Sequence, residues 1–196
     1  DKELKFDGHS VLETETIGRW VTPDEVMEEV ERDLVFYETS GGGVTFSGGE
    51  PLLQPKFLAP LLKACGERGI HRALDTCGNV PRHVLDAVAD ETDLFLYDVK
   101  LMDDSLHRQY TGASNRVILD NLRHLAVRER NVVIRFPVVP GITDTEDNVR
   151  ALIGFLREST ALEEIHLLPY HAIAHHKYER LRLPNRLAHL KSPSET

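Results

Sequence analysis

The chain has 196 residues, 41% hydrophobic and 28% charged, enough for one domain with a substantial core and too few for two of ordinary size. No apolar run approaches the roughly 20 residues that span a membrane, and a formal charge of −9 argues against a nucleic-acid surface, which needs clustered Lys and Arg. The two cysteines, Cys65 and Cys77, are neither a disulfide scaffold nor a zinc or iron–sulfur ligand set, and they fit a reducing, cytoplasmic compartment.

The sequence starts at Asp1 without an initiator methionine or a signal-peptide pattern, as a piece of a longer chain would. Residues 1–20 are mixed and show no clear strand. "TPDE" is then a well-formed helix start, with Thr22 as N-cap, Pro23 at the first helical position and Glu25 as the capping-box acid. Val26, Val30 and Leu34 carry its apolar stripe to about Tyr37.

From there the chain alternates. "GVTF" predicts a short strand, followed by a helix over about 55–67 in which Phe57, Leu61 and Cys65 share a face, so Cys65 belongs to the core. "HRALDT" predicts a strand, then a helix from about Pro81 to Ala89. "LFLYDV" is a strand, with a long helical region after it ending in "ILDNLRHLAVRE". "VVIRFPVV" is a strand, with a helix from Thr143 or Asp144 to about Glu158, and "EIHLLPY" is the last strand. Strands separated by helices imply a parallel sheet with right-handed crossovers. Near-continuous apolar runs imply strands covered on both faces. Five units are fewer than the eight of a closed barrel, and the polar ending "LKSPSET" adds no strand. A partial barrel and an open doubly wound sheet both remain.

Ligands of parallel α/β folds bind at the carboxyl ends of the strands, and here those ends carry groups that are costly to bury. The first gives Glu50, the second Asp75 and Thr76, the third Asp98 and Lys100, and the fifth His171; Arg135 interrupts the fourth strand. Asp98 and Lys100, two apart, project to one face. Each has a plain structural reading: a mutual ion pair for Asp98 and Lys100, a turn cap for Asp75, an acid partner for Arg135. Their convergence on one edge points instead to a ligand that compensates their desolvation.

"GGGVTFSGGEPLLQ" packs five glycines into nine positions. Gly43 to Gly48 has GxxxxG spacing, but Gly49-Glu50 stands where a phosphate loop has Lys and Ser/Thr, and no GxGxxG pattern exists. A carboxylate beside free backbone groups suits an ammonium, a hydroxyl or a metal, so the ligand is read as cationic or zwitterionic. His171 and His175 are four apart, yet no acid or cysteine completes a metal set nearby, and "HHK" reads as a solvated loop. His71, His83, His107 and His124 read as ordinary surface or helix residues.

With "SGGGVTFSGGEPLLQ", "LDTCG", "YDVK", "IRFPVVPGITD" and "LLPYH" in that order, the sequence resembles the glycyl-radical-enzyme activating enzymes, which are radical S-adenosylmethionine (SAM) enzymes, over about Thr22 to Leu190. The resemblance implies an α/β fold built as a partial parallel (β/α) barrel with about five strands present. Gly48, Gly49 and Glu50 would then hold the amino group of SAM, and Lys100 would reach its carboxylate. Arg135 and His171 would line the pocket. Asp75, Thr76 and Asp98, with the Leu96 carbonyl, would bind a monovalent cation near that carboxylate. The implied reaction is reductive cleavage of SAM to methionine and a 5′-deoxyadenosyl radical, which installs a glycyl radical on a partner enzyme. Electrons would come from a flavodoxin or a ferredoxin-type donor.

The departure is the CxxxCxxC motif whose thiolates bind a [4Fe–4S] cluster. It is not in this sequence, and Cys65 and Cys77 cannot replace it; Cys77, in a variant of the more usual "DTNG", reads as a loop residue near the pocket. The resemblance therefore places a first strand and cluster loop before Asp1, and a final helix and strand after Thr196. It makes residues 1–21 a linker or the tail of an upstream cluster-binding segment, 22–190 the core and 191–196 a polar tail. Such a piece is expected to be inactive alone. The rival readings are a lyase or aldolase with Lys100 as Schiff-base amine, and a non-catalytic binding scaffold.

Overall fold

The computed structural model describes residues 2–6, 9–13, 18–158 and 162–171, together with 184, 187 and 190. Strands β1 (Lys2–Phe6) and β2 (His9–Glu13) form an antiparallel ribbon in which Leu4 lies opposite Val11. This corrects the expectation of no strand before Thr22. Five-residue strands give too short a period-2 signal to stand out, but Asp7-Gly8 between them is a strong sequence signal for a hairpin connection.

The capping box forms as expected: Thr22 Oγ1 accepts from Glu25 N at 3.2 Å, and Glu25 Oε2 accepts from Thr22 N at 2.7 Å. The expected single helix is two, α1 (Pro23–Glu31) and α2 (Leu34–Ser40). The bonds of Arg32 N to Glu29 O and Asp33 N to Val30 O tighten the chain to i→i−3 between them.

The main sheet contains β3 (Gly43–Phe46), β4 (His71–Thr76), β5 (Leu94–Asp98), β6 (Val132–Val138) and β7 (Glu164–Pro169), all parallel and side by side in chain order. A 3₁₀ turn (Pro51–Leu53) and α3 (Pro55–Glu67) connect β3 to β4, and α4 (Arg82–Ala89) connects β4 to β5. The link to β6 again holds two helices where one region was expected, α5 (Asp104–Thr111) and α6 (Arg116–Val127), because the chain turns left-handed at Gly112, φ 81°. Helix α7 (Glu146–Arg157) leads to β7.

The register decides between the two sheet architectures. Phe46, Leu74, Phe95 and Val132 form one row across four strands. That face is buried under Leu58 and Leu62 of α3, Leu85 and Val88 of α4, Leu122 and Leu125 of α6, and Leu152 and Phe155 of α7. All these helices cover the same face, as in a barrel wall; a doubly wound sheet divides them between two. Each fully buried aliphatic or aromatic side chain in this layer contributes about 1.5–3 kcal/mol. Cys65 is fully buried in a second cluster with Met27, Leu61 and Ile70, under α1.

The opposite face carries the charged side chains, among apolar ones. The next row runs Asp75, Leu96, Val133, Glu164, and two residues further along come Asp98, Arg135 and His166. Strand alternation thus puts hydrocarbon under the helices and charge on the inner face of the partial barrel.

Candidate functional site

At the carboxyl ends of β4 to β6 the charged side chains meet. Arg135 Nη1 is 2.6 Å from Asp75 Oδ2, and its Nε is 3.4 Å from Asp98 Oδ1. Asp98 Oδ2 is 3.1 Å from Lys100 Nζ, and Ser47 Oγ donates to Asp75 Oδ2 at 2.8 Å. Two acids and two bases alternate along the row. Asp98 Oδ1 is buried and receives no hydrogen bond of good geometry, so the row has one acceptor left over.

Glu50 is bound differently. Its Oε1 accepts from Thr76 Oγ1 at 2.7 Å and from Leu52 N at 3.2 Å; its Oε2 accepts from Cys77 N at 3.0 Å and Cys77 Sγ at 3.1 Å. Four donors fill the lone-pair directions of one carboxylate. Glu50 therefore ties the end of β3 to the end of β4, and Gly48 and Gly49, both exposed, present backbone to the edge. Burial, followed by the hydrogen bond to Glu50, pushes the Cys77 thiol above its ordinary value, against a lowering by the Asn79 backbone.

The structure brings Asp75, Asp98, Lys100 and Arg135 together, and it brings Glu50 to Thr76. It does not bring Thr76 to Asp75 and Asp98: the hydroxyl lies on the helix-covered face, only 2% exposed, and donates to Glu50. Nor does it leave the space between the two aspartates open, because Arg135 fills it. His171 is exposed just past β7, at the same sheet edge, whereas His175 and "HHK" lie outside the described residues. Of the histidines read as ordinary, His71 and His83 are exposed, His107 is buried in α5 with Nδ1 2.7 Å from Ala113 O, and His124 Nε2 is 2.7 Å from Asp86 Oδ1. Lys100 Nζ is engaged with Asp98 on a partly open edge, unlike an amine made nucleophilic in a dry apolar pocket.

Three residues went unrecognised in the sequence. Asn115 Nδ2 donates to Leu101 O and Met102 O at 2.9 and 2.8 Å. Asn148 Nδ2 donates to Lys100 O and Thr143 O at 3.0 and 2.8 Å, and its Oδ1 accepts from Met102 N at 2.8 Å. Asn121 Nδ2 donates to Gly78 O and Val80 O, both at 2.8 Å. All three are buried, and together they hold the loops that follow β4 and β5. The signal was an amide on an apolar stripe: Asn121 lies among Ile118, Leu122 and Leu125, and Asn148 precedes Leu152 and Phe155.

A one-sided parallel α/β wall with alternating charges at its strand ends defines a partial (β/α) barrel. The profile of the Radical SAM superfamily matches residues 6–153. The choline trimethylamine-lyase activating enzyme of Oleidesulfovibrio alaskensis is 44% identical over 168 residues, 84% of this chain and 54% of that protein. The pyruvate formate-lyase 1-activating enzyme of Escherichia coli is 39% identical over 180 residues, 91% of this chain and 73% of that protein. A crystal structure of a domain of pyruvate-formate lyase-activating enzyme from Bacteroides vulgatus superposes with a TM-score of 0.64 at 36% identity, covering 79% of this chain and 86% of that one. The chain belongs to the radical SAM superfamily and, within it, to the activating enzymes of glycyl radical enzymes. It spans little more than half the length of the first of these relatives.

The family implies SAM and a [4Fe–4S] cluster. This chain's residues do not fit the cluster. Cys65 is buried under α1 with Sγ 3.6 Å from Met27 Sδ, Cys77 is held on Glu50, and no described group of three His, Cys, Asp or Glu could hold a metal. They do fit SAM: the buried, undonated Asp98 Oδ1 answers an ammonium, and Lys100 and Arg135 on the same edge answer a carboxylate.

Proposed function

We propose that this chain is the SAM-binding core of an enzyme that activates a glycyl radical enzyme. The observation that carries the reading is the row Asp75–Arg135–Asp98–Lys100 at the strand ends, with Asp98 Oδ1 left undonated. A zwitterion is the ligand class that uses both signs of such a row without leaving either charge stranded. The backbone at Gly48 and Gly49, with Asp98, binds the ammonium end of the methionine moiety. Lys100 and Arg135 bind its carboxylate, and His171 approaches from the far end of the edge. Glu50 acts through the backbone it anchors, since its own oxygens are taken.

Bound SAM supplies the sulfonium carbon–sulfur bond whose reductive cleavage is the family's source of radicals. The ligands for the cluster that would reduce it are not residues of this chain, so this chain's part is to bind and orient. In this reading the chain alone binds SAM weakly, does not cleave it, and works in the cytoplasm. No described helix is long and apolar enough to cross a membrane. The partner is a glycyl radical enzyme, and a flavodoxin or ferredoxin-type protein is the electron donor.

Isothermal titration of the purified chain with SAM tests this. Heat with the wild type that is lost in Asp98→Asn and weakened in Lys100→Met supports the site. No heat with the wild type overturns it.

A further inference from the structure

Asn121 is 1% exposed, on the face of α6 turned towards the sheet. Its amide orientation is fixed independently, because Arg82 Nε donates to Oδ1 at 2.8 Å, which leaves the NH₂ group to face Gly78 O and Val80 O, each at 2.8 Å. These carbonyls belong to the loop that begins at Thr76 and Cys77, whose hydroxyl, amide and thiol grip Glu50. Gly78 N in turn donates to Thr76 Oγ1 at 2.9 Å. Tyr97 packs directly behind Gly78 and donates to Ile118 O at 2.7 Å, one turn before Asn121. Helix α6 thus grips the loop twice, through Tyr97 and through Asn121.

We propose that Asn121 is a positioning residue for the ligand edge: it holds the 76–80 loop so that Cys77 and Thr76 fix Glu50, and Glu50 fixes the Gly48–Gly49 backbone. The inference rests on the proposed SAM site, but its first link, from Asn121 to Cys77, is independent of any ligand. Without the amide, Val80 O loses its donor and Gly78 O keeps only Val80 N, the loop opens more often, and Glu50 loses partners 26 and 27 residues away in sequence.

The test uses Asn121→Leu, and Arg82→Met, which removes from a solvent-exposed position the bond that orients the amide, together with the bond from Arg82 Nη2 to Asp120 O at 2.9 Å. Two readouts are taken on the purified chain: alkylation of Cys77 by iodoacetamide, with fully buried Cys65 as internal reference, and SAM affinity by calorimetry. In Asn121→Leu, Cys77 alkylation rises by about tenfold, as the loss of two hydrogen bonds that hold the loop dictates. SAM affinity falls by a similar factor, and Arg82→Met moves both in the same direction by less. An unchanged Cys77 rate in a folded Asn121→Leu chain overturns the inference. A faster Cys77 with undiminished SAM affinity overturns the positioning role while leaving the SAM site standing. If Cys65 is also exposed in Asn121→Leu, that variant has unfolded and Arg82→Met decides alone: an unchanged Cys77 rate there overturns the inference. A wild type that binds no SAM sinks the proposed function, and the positioning of that ligand with it.

Discussion

Arg135 on β6 reaches across β5 to place its Nη1 2.6 Å from Asp75 Oδ2 on β4. On the way its Nε passes 3.4 Å from Asp98 Oδ1. One guanidinium thus neutralises two carboxylates on a face where all three side chains are about a quarter exposed or less. Arg135→Met keeps the stem and removes the charge, leaving two acids side by side. Urea denaturation should show a loss of about 1.5–3 kcal/mol, the range for charge-assisted hydrogen bonds. Asp75→Asn in the same chain should recover part of it, because the second substitution removes the repulsion that the first exposes. Strictly additive losses would show that Arg135 does not bridge the pair.

Gly78 combines a left-handed φ of 65° with contact against the Tyr97 ring and hydroxyl at the place where a Cβ would stand. Gly78→Ala meets both costs, and thermal or urea unfolding should report about 2–4 kcal/mol. Gly141, also left-handed at φ 72° but with open space around it, is the control. Gly141→Ala should cost only the backbone part, about 1–2 kcal/mol. Equal losses at the two sites would mean that Tyr97 does not press on the loop.

The strand-end acids and bases were legible because each breaks an apolar run: Arg135 stands inside "VVIRFPVV" and Asp98 ends "LFLYD". Which face they share followed from strand alternation. What the sequence did not reveal is how they pair. The spacing of Glu50 and Thr76 gives no hint that one carboxylate takes four donors, since the partners arrive through tertiary packing of two strand ends. Asn121 and Asn148 were hidden for a related reason: on a helical stripe an amide looks like a flaw in the pattern until the carbonyls it serves are in place. The breaks after Glu31 and at Gly112 were missed because the apolar stripe continues across them. The one-sided cover of the sheet was beyond reach altogether, since helix-facing and barrel-facing strands both read as apolar runs.

Asp104 gives an acid-side test away from the ligand edge. The Ser114 hydroxyl, then Arg108 and the Asn115 amide, outweigh its partial burial and hold its carboxyl at about 2 against an ordinary 3.8. A lowered pKa in the folded chain means stability that is present above the ordinary value and lost as pH falls through the lowered one. The contribution should therefore disappear between about pH 4 and pH 2. Over that window the Asp104→Asn chain should lose less stability than the wild type in urea titrations. Parallel curves would show that the Ser114–Asn115 turn does not depend on this carboxylate.

Cys77 gives the alkaline counterpart, and here the sign reverses. Burial first, and the Glu50 carboxylate after it, raise the thiol above 9.0, so the folded chain retains a proton that the unfolded chain releases. That contribution is fully present below pH 9.0 and fades as pH rises through the higher folded value. The same shift governs reactivity, because the thiolate is the nucleophile. The rate of Cys77 alkylation should reach half of its plateau above pH 9.0, the pH at which an ordinary thiol is half ionised. Glu50→Gln removes the charge that faces the sulfur, so its profile should bend at lower pH, although burial keeps it above the ordinary value. Because Cys65 is fully buried, mass spectrometry of the alkylated chain separates the two sites. A wild-type midpoint at or below pH 9.0, or a Glu50→Gln profile that does not move, would mean that the thiol does not rest on Glu50 in solution.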